Sequence, residues 1–398
     1  MKKGYVAVVW FIACIFVLFA FSSVSAKEDI RIGFSISLTG PYTSGAADQM
    51  RAYELWLEEV NSRGGIFVKE FNKKLPVKFV YYDDKSDMGT AVRVYEKLMT
   101  DDKVDLLLTP FSTTIVFAVI PIADKYKMPM LGATASSTRI REIKTEYFWF
   151  ITPCQPDKVM STLVDFLSAQ NLKKVAVIYV QDHYQRECLE FLTPALKKAN
   201  LDTVLQKDYP FGEKDLTTLL FEVKKSEPDA VIALNAYVES VLIMNQAKTV
   251  NLQPKVLFSL LGPAGAFYVK ALGPTSDGIM TMGQWNPKIN WPGAKQFYEN
   301  FIAKFKTTPN FLDAILAYQE CQIMEQAVEK AGSLSPAKIR DIINKEEFLT
   351  AGGPVKFTGR ENYRTPAMID QLQNGEHEIV WPPEYVTAKP IIPKPAWK

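Results

Sequence analysis

Apolar and polar positions along this chain follow two rhythms in turn. Ile30 to Ser37 (IRIGFSIS) is a nearly unbroken apolar run of strand length; Ala46, Met50, Tyr53, Leu57 and Val60 then recur at spacings of 4, 3, 4 and 3, one face of a helix. Gly64-Gly65 ends that helix, since glycine readily adopts the backbone needed past a helix end. Val77 to Tyr82 predicts a second strand, Asp87 caps a helix carrying Ala91, Val94, Tyr95 and Leu98, and Val104 to Leu108 predicts a third strand. A helical run from Ile115 to Lys125 and a short strand from Pro129 to Leu131 follow.

After Pro153 the alternation restarts. Helices are expected at Lys158–Ala169, Tyr184–Ala199, Leu216–Lys225 and near Glu239–Thr249, with strands at Val175–Val180, Thr203–Leu205, Ala230–Leu234, Val256–Leu260 and Ile279–Met282. Helices Gly293–Phe305, Phe311–Ala331 and Pro336–Asn344 come next, then strands at Val355–Phe357 and Ala367–Leu372. Continuously apolar strands alternating with helices argue for parallel sheets covered on both faces. Two such halves followed by extra helices predict an α/β protein of two lobes connected more than once, with the late helices returning to cover the first sheet and a hinged cleft between. Five prolines beyond Trp381 predict an extended tail that lies over a lobe or trails free.

Composition narrows the function classes. A length of 398 residues with 47% hydrophobic and 23% charged residues excludes a disordered or disulfide-scaffold chain and accommodates two or three domains. The net charge is +2 and both excess lysines, Lys2 and Lys3, lie in the first 26 residues, so nucleic acid is not an expected partner. Those lysines precede an apolar run from Tyr5 to Phe21 and the small residues Val24-Ser25-Ala26, which together predict an export signal over residues 1–26, cleaved after Ala26, with a retained anchor as the alternative. Export leaves Cys154, Cys188 and Cys321, an odd number, so at least one thiol stays free unless chains cross-link, and three buried small apolar residues are the expectation. Two histidines, His183 and His377, and the absence of close cysteine pairs speak against a zinc site; neither a G-x-S-x-G, an H-E-x-x-H nor a G-x-G-x-x-G motif occurs, so no enzyme is expected.

Ligands of open parallel sheets sit beyond the carboxyl ends of the strands. That rule selects the loops holding Tyr42 and Ser44, then Ser112 and Thr113, then Ala133, Ala135 and Ser136. Two of these loops lead into helices whose free N–H groups favour an anion, so a carboxylate fits between them; the same hydroxyls also suit plain helix caps. In the second half the rule selects Gln181 to Tyr184, Asn235 to Tyr237 and Gly262 to Gly265. Tyr184 and Tyr237 offer aromatic faces and hydroxyls that close over a ligand. Trp285 either faces the cleft or packs at the hinge.

IRIGFSISLTGPYTSG, the helix ending in EEVNSRGGI, KFVYYDDKSD and the stretch from LLLTPFSTT to KMPMLGATASS resemble the periplasmic Leu/Ile/Val-binding protein family of ABC importers, over about residues 28 to 375. The resemblance implies a type I periplasmic binding protein fold, with two Rossmann-like lobes, three hinge crossovers and no cofactor. Lobe 1 is then expected at 27–150 plus 284–365, lobe 2 at 151–283 plus 366–381, and the proline-rich tail at 382–398. It implies that Ser112, Ala133 and Ala135, with Thr113 beside them and Ser136 as a replacement hydroxyl, hold a substrate carboxylate. It also implies that Tyr184 and Tyr237 contact the ligand from lobe 2, and that the first-loop contact falls near Tyr42 or Ser44. The disulfide some relatives carry is expected to be absent, because Ser86 and Phe111 occupy its positions.

One departure affects the ligand. Amino-acid binders of the family carry an acid in a Gly-Pro-x-Gly turn to pair with the substrate's ammonium, and this chain reads Gly262-Pro263-Ala264-Gly265. A buried ammonium without a counter-charge suffers a desolvation penalty of at least several kcal/mol, against about 1 kcal/mol for an ordinary hydrogen bond. The expectation is therefore a monomeric periplasmic solute-binding protein that delivers an amino acid, or a related small carboxylate or amide, to an inner-membrane permease. Its ligand lacks an α-ammonium unless Asp182 or Glu239 substitutes. A periplasmic sensor subunit is the alternative.

Overall fold

The computed structural model describes residues 27–397, and the expected signal segment lies outside them. The first half runs β1 (Ile30–Ile36), α1 (Thr43–Ser62), β2 (Ile66–Val68), β3 (Lys73–Leu75), β4 (Val77–Asp83), α2 (Met88–Thr100), β5 (Leu106–Leu107), α3 (Thr113–Tyr126), β6 (Met130–Gly132) and β7 (Phe148–Phe150). The second runs α4 (Pro156–Ala169), β8 (Lys174–Val180), α5 (His183–Lys198), β9 (Asp202–Tyr209), α6 (Thr217–Lys225), β10 (Ala230–Leu234), α7 (Tyr237–Thr249), β11 (Val256–Ser259), α8 (Ala266–Leu272) and β12 (Ile279–Gly283). Helices α9 (Ala294–Phe305), α10 (Asp313–Ala331) and α11 (Pro336–Lys345) follow. Short strands β13 (Phe348–Thr350), β14 (Gly353–Val355), β15 (Phe357–Thr358) and β16 (Glu361–Asn362) precede the closing pair β17 (Met368–Gln373) and β18 (Glu376–Trp381).

Strand β1 pairs in parallel with β4 and β5, while β6 and β7 pair in parallel in a four-stranded sheet completed by β16 and β15. The second sheet has the order β18-β17-β12-β11-β10-β8-β9, parallel from β9 to β12 and antiparallel at β17 and β18. Strand β10 is fully buried and β1 is buried at every residue but Arg31, as their apolar runs require. The Asp87 carboxylate accepts the Thr90 N–H at 2.7 Å, capping α2 as its sequence indicates. Past α1, Gly65 has φ +94°, and a Cβ there would stand 2.0 Å from the Leu75 carbonyl oxygen, so no other residue lets the β2–β3 hairpin close against the helix.

The late helices return to the first half. Tyr53 donates to Glu320 at 2.5 Å, the Trp56 indole to Glu325 at 2.9 Å, and Asn300 on α9 to Glu59 at 2.7 Å. The chain therefore crosses between halves three times, after β7, β12 and β16, and the crossovers are bonded to one another: Thr152 to Gln284 at 3.2 Å, and Asn362 to the Ile151 carbonyl at 3.0 Å. Residues 382–397 lie over the second half, where Ile391 N–H meets Gln371 at 2.8 Å and the Trp397 indole donates to the Leu252 carbonyl at 2.8 Å. Trp285 is fully buried behind the crossover, its ring centroid 5.5 Å from Phe297 and 5.4 Å from Phe311. Of its two sequence readings the hinge-packing one applies, because its ring packs on Phe297, Tyr298 and Phe311 and does not line the cleft.

Candidate functional site

The strand ends of the two halves face each other across a cleft that is partly open to solvent. The first half contributes Tyr42, Ser44 and Gly45 after β1, Phe111 to Thr114 after β5, and Ala133 to Ser136 after β6. The second half contributes Asp182, Tyr184 and Gln185 after β8, Phe211 after β9, Ala236 to Val238 after β10, and Leu261 and Met282; Leu312, Asp313 and Leu316 come from the start of α10. Gly45 is required here, because a Cβ would stand 2.2 Å from the Phe111 ring edge that forms the wall. Cys154 also lines the cleft, with burial pushing its thiol up to about 12; it, Cys188 and Cys321 are all free and buried.

Each half presents different polar groups. Ser112 stands before α3, its hydroxyl accepting the Ile115 N–H at 3.4 Å, and the N–H groups of Thr113, Thr114 and Ala135 have no acceptor among the described residues. The Thr113 hydroxyl ties this loop to the next, accepting Ser136 N–H at 3.1 Å, and the Ser136 hydroxyl turns away to the Cys154 carbonyl at 2.9 Å. Tyr42 is partly buried beside Phe111, 6.2 Å between ring centroids; burial raises its pKa, Asp182 adds to the rise, and hydroxyl contacts with Thr114 and Ser112 oppose it. On the far wall the Tyr184 hydroxyl donates to the Cys154 carbonyl at 3.1 Å and the Tyr237 hydroxyl donates to Asp313.

Behind the first wall runs a buried polar chain. Thr134 donates to Gln49 at 2.7 Å, Gln49 reaches Tyr53 and the Thr109 carbonyl at 2.8 Å each, and Glu320 accepts the Thr109 N–H at 2.8 Å. Burial pushes Glu320 up to about 8 against the opposing hydrogen bonds from Tyr53 and Thr109. These bonds fix the backbone on which the Ser112 and Ala135 loops stand.

Residues 29–369 match the family model described as "Periplasmic binding protein". The chain belongs to that family. This periplasmic binding protein is 23% identical over 383 residues to the Leu/Ile/Val-binding protein homolog 7 of Brucella suis biovar 1, a match covering 90% of this chain and 92% of the relative. Its fold is similar to that of the branched-chain amino acid transporter substrate binding protein LivJ from Streptococcus pneumoniae in complex with isoleucine (TM-score 0.78, 21% identity, 89% and 100% of the two chains). It is also similar to the solute binding protein of an ABC transporter from Rhodopseudomonas palustris BisB5 in complex with 3,4-dihydroxy benzoic acid (TM-score 0.76, 17% identity, 88% and 95%). The family is one of binding proteins, and the type I architecture expected from the sequence is present.

Among the cleft residues of this periplasmic binding protein that the sequence does not single out, Phe211, Gln185 and Asp313 matter most. Phe211 follows a strand whose length was underestimated; Gln185 lies one residue past the selected loop; Asp313 comes from a helix far along the chain, where no strand-end rule applies. Ala264 is buried in its turn, and its carbonyl accepts the Phe311 N–H at 2.9 Å. Of the two acids considered as substitutes, Asp182 lines the cleft while capping α5, whereas Glu239 lies outside the lining and accepts the Gly212 N–H at 2.7 Å.

Proposed function

We propose that this protein is the substrate-binding component of an ABC importer. It captures a small ligand bearing a carboxylate, an amino acid or a related acid or amide, between its halves and delivers it to an inner-membrane permease as a periplasmic monomer. The carrying observation is the set of unpaired N–H groups at Thr113, Thr114 and Ala135 beside the Ser112 hydroxyl, in a cleft that also carries aromatic and aliphatic side chains such as Phe111, Phe211 and Leu316. Isoleucine and 3,4-dihydroxybenzoic acid, found in the two similar structures, differ in every group but the carboxylate. The ligand-binding set is Ser112, Thr113, Ala133 and Ala135 on one wall, Tyr184 and Tyr237 on the other, and Tyr42 and Ser44 at the mouth. Ser136 acts on the loop rather than on the ligand, and Trp285 is left out. The lobes are assigned as 27–150 plus 284–365 and 151–283 plus 366–381, which keeps each sheet within one lobe.

Closure gains free energy from a ligand only to the extent that the closed form binds it more tightly. Isothermal titration with leucine, isoleucine and 3,4-dihydroxybenzoate, paired with small-angle scattering, tests this reading. One-to-one binding of at least one of them, with a smaller radius of gyration on binding, is expected; no binding of any carboxylate overturns it.

A further inference from the structure

The polar groups of the cleft are sorted by type. The Ser112 and Ala135 loops offer donors, the N–H groups described above, while Asp313 and Gln185, on either side of Tyr237, offer acceptors without matching donors. Asp313 is buried, lines the cleft, and uses one carboxylate oxygen to accept the Tyr237 hydroxyl; its other oxygen takes no hydrogen bond among the described residues. Gln185, 1% exposed, gives its amide N–H to the Asn235 carbonyl at 3.1 Å and leaves Oε1 buried with no partner. That bond fixes which end of the amide is the oxygen. Asn235 lies two residues before Tyr237, so both vacant acceptors flank one loop.

Charge points the same way. The ionisable side chains lining the cleft include Asp182 and Asp313 but, among the described residues, no Lys, Arg or His. The charged group acting on Asp313 is another acid, Asp48, whose own cation, Arg51, is bonded to it at 2.8 Å. Burial, with Asp48 adding, pushes Asp313 up to about 7 although Tyr237 donates to it. A carboxylate with one neutral donor and no counter-ion is costly to bury, and a cation brought by the ligand removes that cost.

We propose that Asp313, with Tyr237 and the Gln185 carbonyl oxygen, forms a subsite for a protonated amine on the ligand, supplying the counter-charge that Ala264 does not. The inference rests on the cleft being the ligand site, and it replaces the expectation of a ligand without an ammonium: that expectation considered only Asp182 and Glu239, whereas Asp313 is brought in by the returning chain. The bound molecule then sets its carboxylate on the Thr113 and Ala135 N–H groups and its amine at Asp313, with its apolar body filling the rest of the cleft.

The test uses two trios that differ by one group: leucine, 4-methylpentanoate and 3-methylbutylamine; phenylalanine, 3-phenylpropionate and 2-phenylethylamine. Titration calorimetry of the wild type is expected to show the amino acid of at least one trio binding at least tenfold more tightly than its deaminated partner. In Asp313→Asn that ratio should collapse toward one. Wild-type binding of the amine near pH 6, measured in two buffers of different ionisation enthalpy, should release protons as Asp313 ionises, a readout that does not depend on the variant folding. Deaminated acids binding as tightly as the amino acids, or a ratio unchanged in Asp313→Asn, overturns the amine subsite and leaves the carboxylate reading standing. Amines that bind while the deaminated acids do not would support the subsite and remove the carboxylate reading. No binding by any of the six compounds overturns both.

Discussion

Ser112 shows at the scale of one residue how function and backbone conformation meet. Its φ of +78° with ψ of 145° lies in a region that L-residues seldom occupy, at a cost of about 1–3 kcal/mol, and such residues concentrate at ligand sites. Glycine there relieves the strain and loses only a few tenths of a kcal/mol of capping, whereas alanine keeps the strain and loses about 1 kcal/mol of cap. Ser112→Gly is therefore expected to be more stable than Ser112→Ala by about 1–3 kcal/mol in urea unfolding, while both lose carboxylate affinity. An alanine variant as stable as the glycine variant would remove strain from the explanation. The loops holding Ser112, Thr113 and Ala135 were legible because the strand-end rule and the family resemblance both select them, although such hydroxyls also serve as helix caps, as Ser112 does for the Ile115 N–H. The role of Ser136 was not, since nothing in the chain order says that its hydroxyl turns toward Cys154. Asp313 was illegible for the same reason: its place in the cleft depends on where α10 lands, not on its neighbours in sequence.

Helix α10 illustrates the scale of one element. Its apolar residues were legible as a helix, but its buried acid acquires meaning only when the helix lies on α1, bringing Glu320 under the Thr109 backbone. Burial raises the Glu320 pKa to about 8 from an unfolded value of about 4.3, so the fold favours the protonated form. The native state then holds more protons than the unfolded chain between those two values, and stability falls as pH rises through that window. Asp313, pushed up to about 7, contributes with the same sign. The free energy of unfolding in urea is expected to decline from pH 5 to pH 8.5, and Glu320→Gln, which cannot ionise, should flatten part of the slope; an unchanged slope would show that Glu320 does not titrate in this range. The elements missed by pattern were mostly short: β2 and β3, β7, β13 and β16, the seven-residue α8, and β18, whose EHEIVW lacks a clear alternation, while the strand expected at Val355–Phe357 is split between β14 and β15. Strands of two or three residues carry too little periodicity to read, and here they are held by neighbours distant in the chain.

At the scale of the whole molecule, the two halves meet at contacts on either side of the cleft. On one side Tyr237 reaches Asp313; on the other Glu187 of α5 accepts Ser137 Oγ at 2.6 Å, Thr138 N–H at 2.7 Å and Thr138 Oγ1 at 2.5 Å. Glu187 is 1% exposed, and its bonds exist only while the halves are together; in an opened form water would take them over. Removing it costs the closed form the stabilisation of a buried, charge-assisted group, about 1–3 kcal/mol, and leaves the open form untouched. Since apparent affinity scales with the fraction of molecules able to close, Glu187→Ala is expected to weaken ligand binding roughly 5- to 150-fold. The nearby Arg139 to Glu190 pair, exposed and 3.7 Å apart, is expected to contribute little, so Glu190→Ala serves as the control. Scattering should show the ligand-free Glu187→Ala protein more extended than the wild type, with equal dimensions once ligand saturates both. Unchanged affinity together with unchanged ligand-free dimensions would show that this contact merely accompanies closure, leaving the Tyr237 side and the three crossovers to set the balance between open and closed forms.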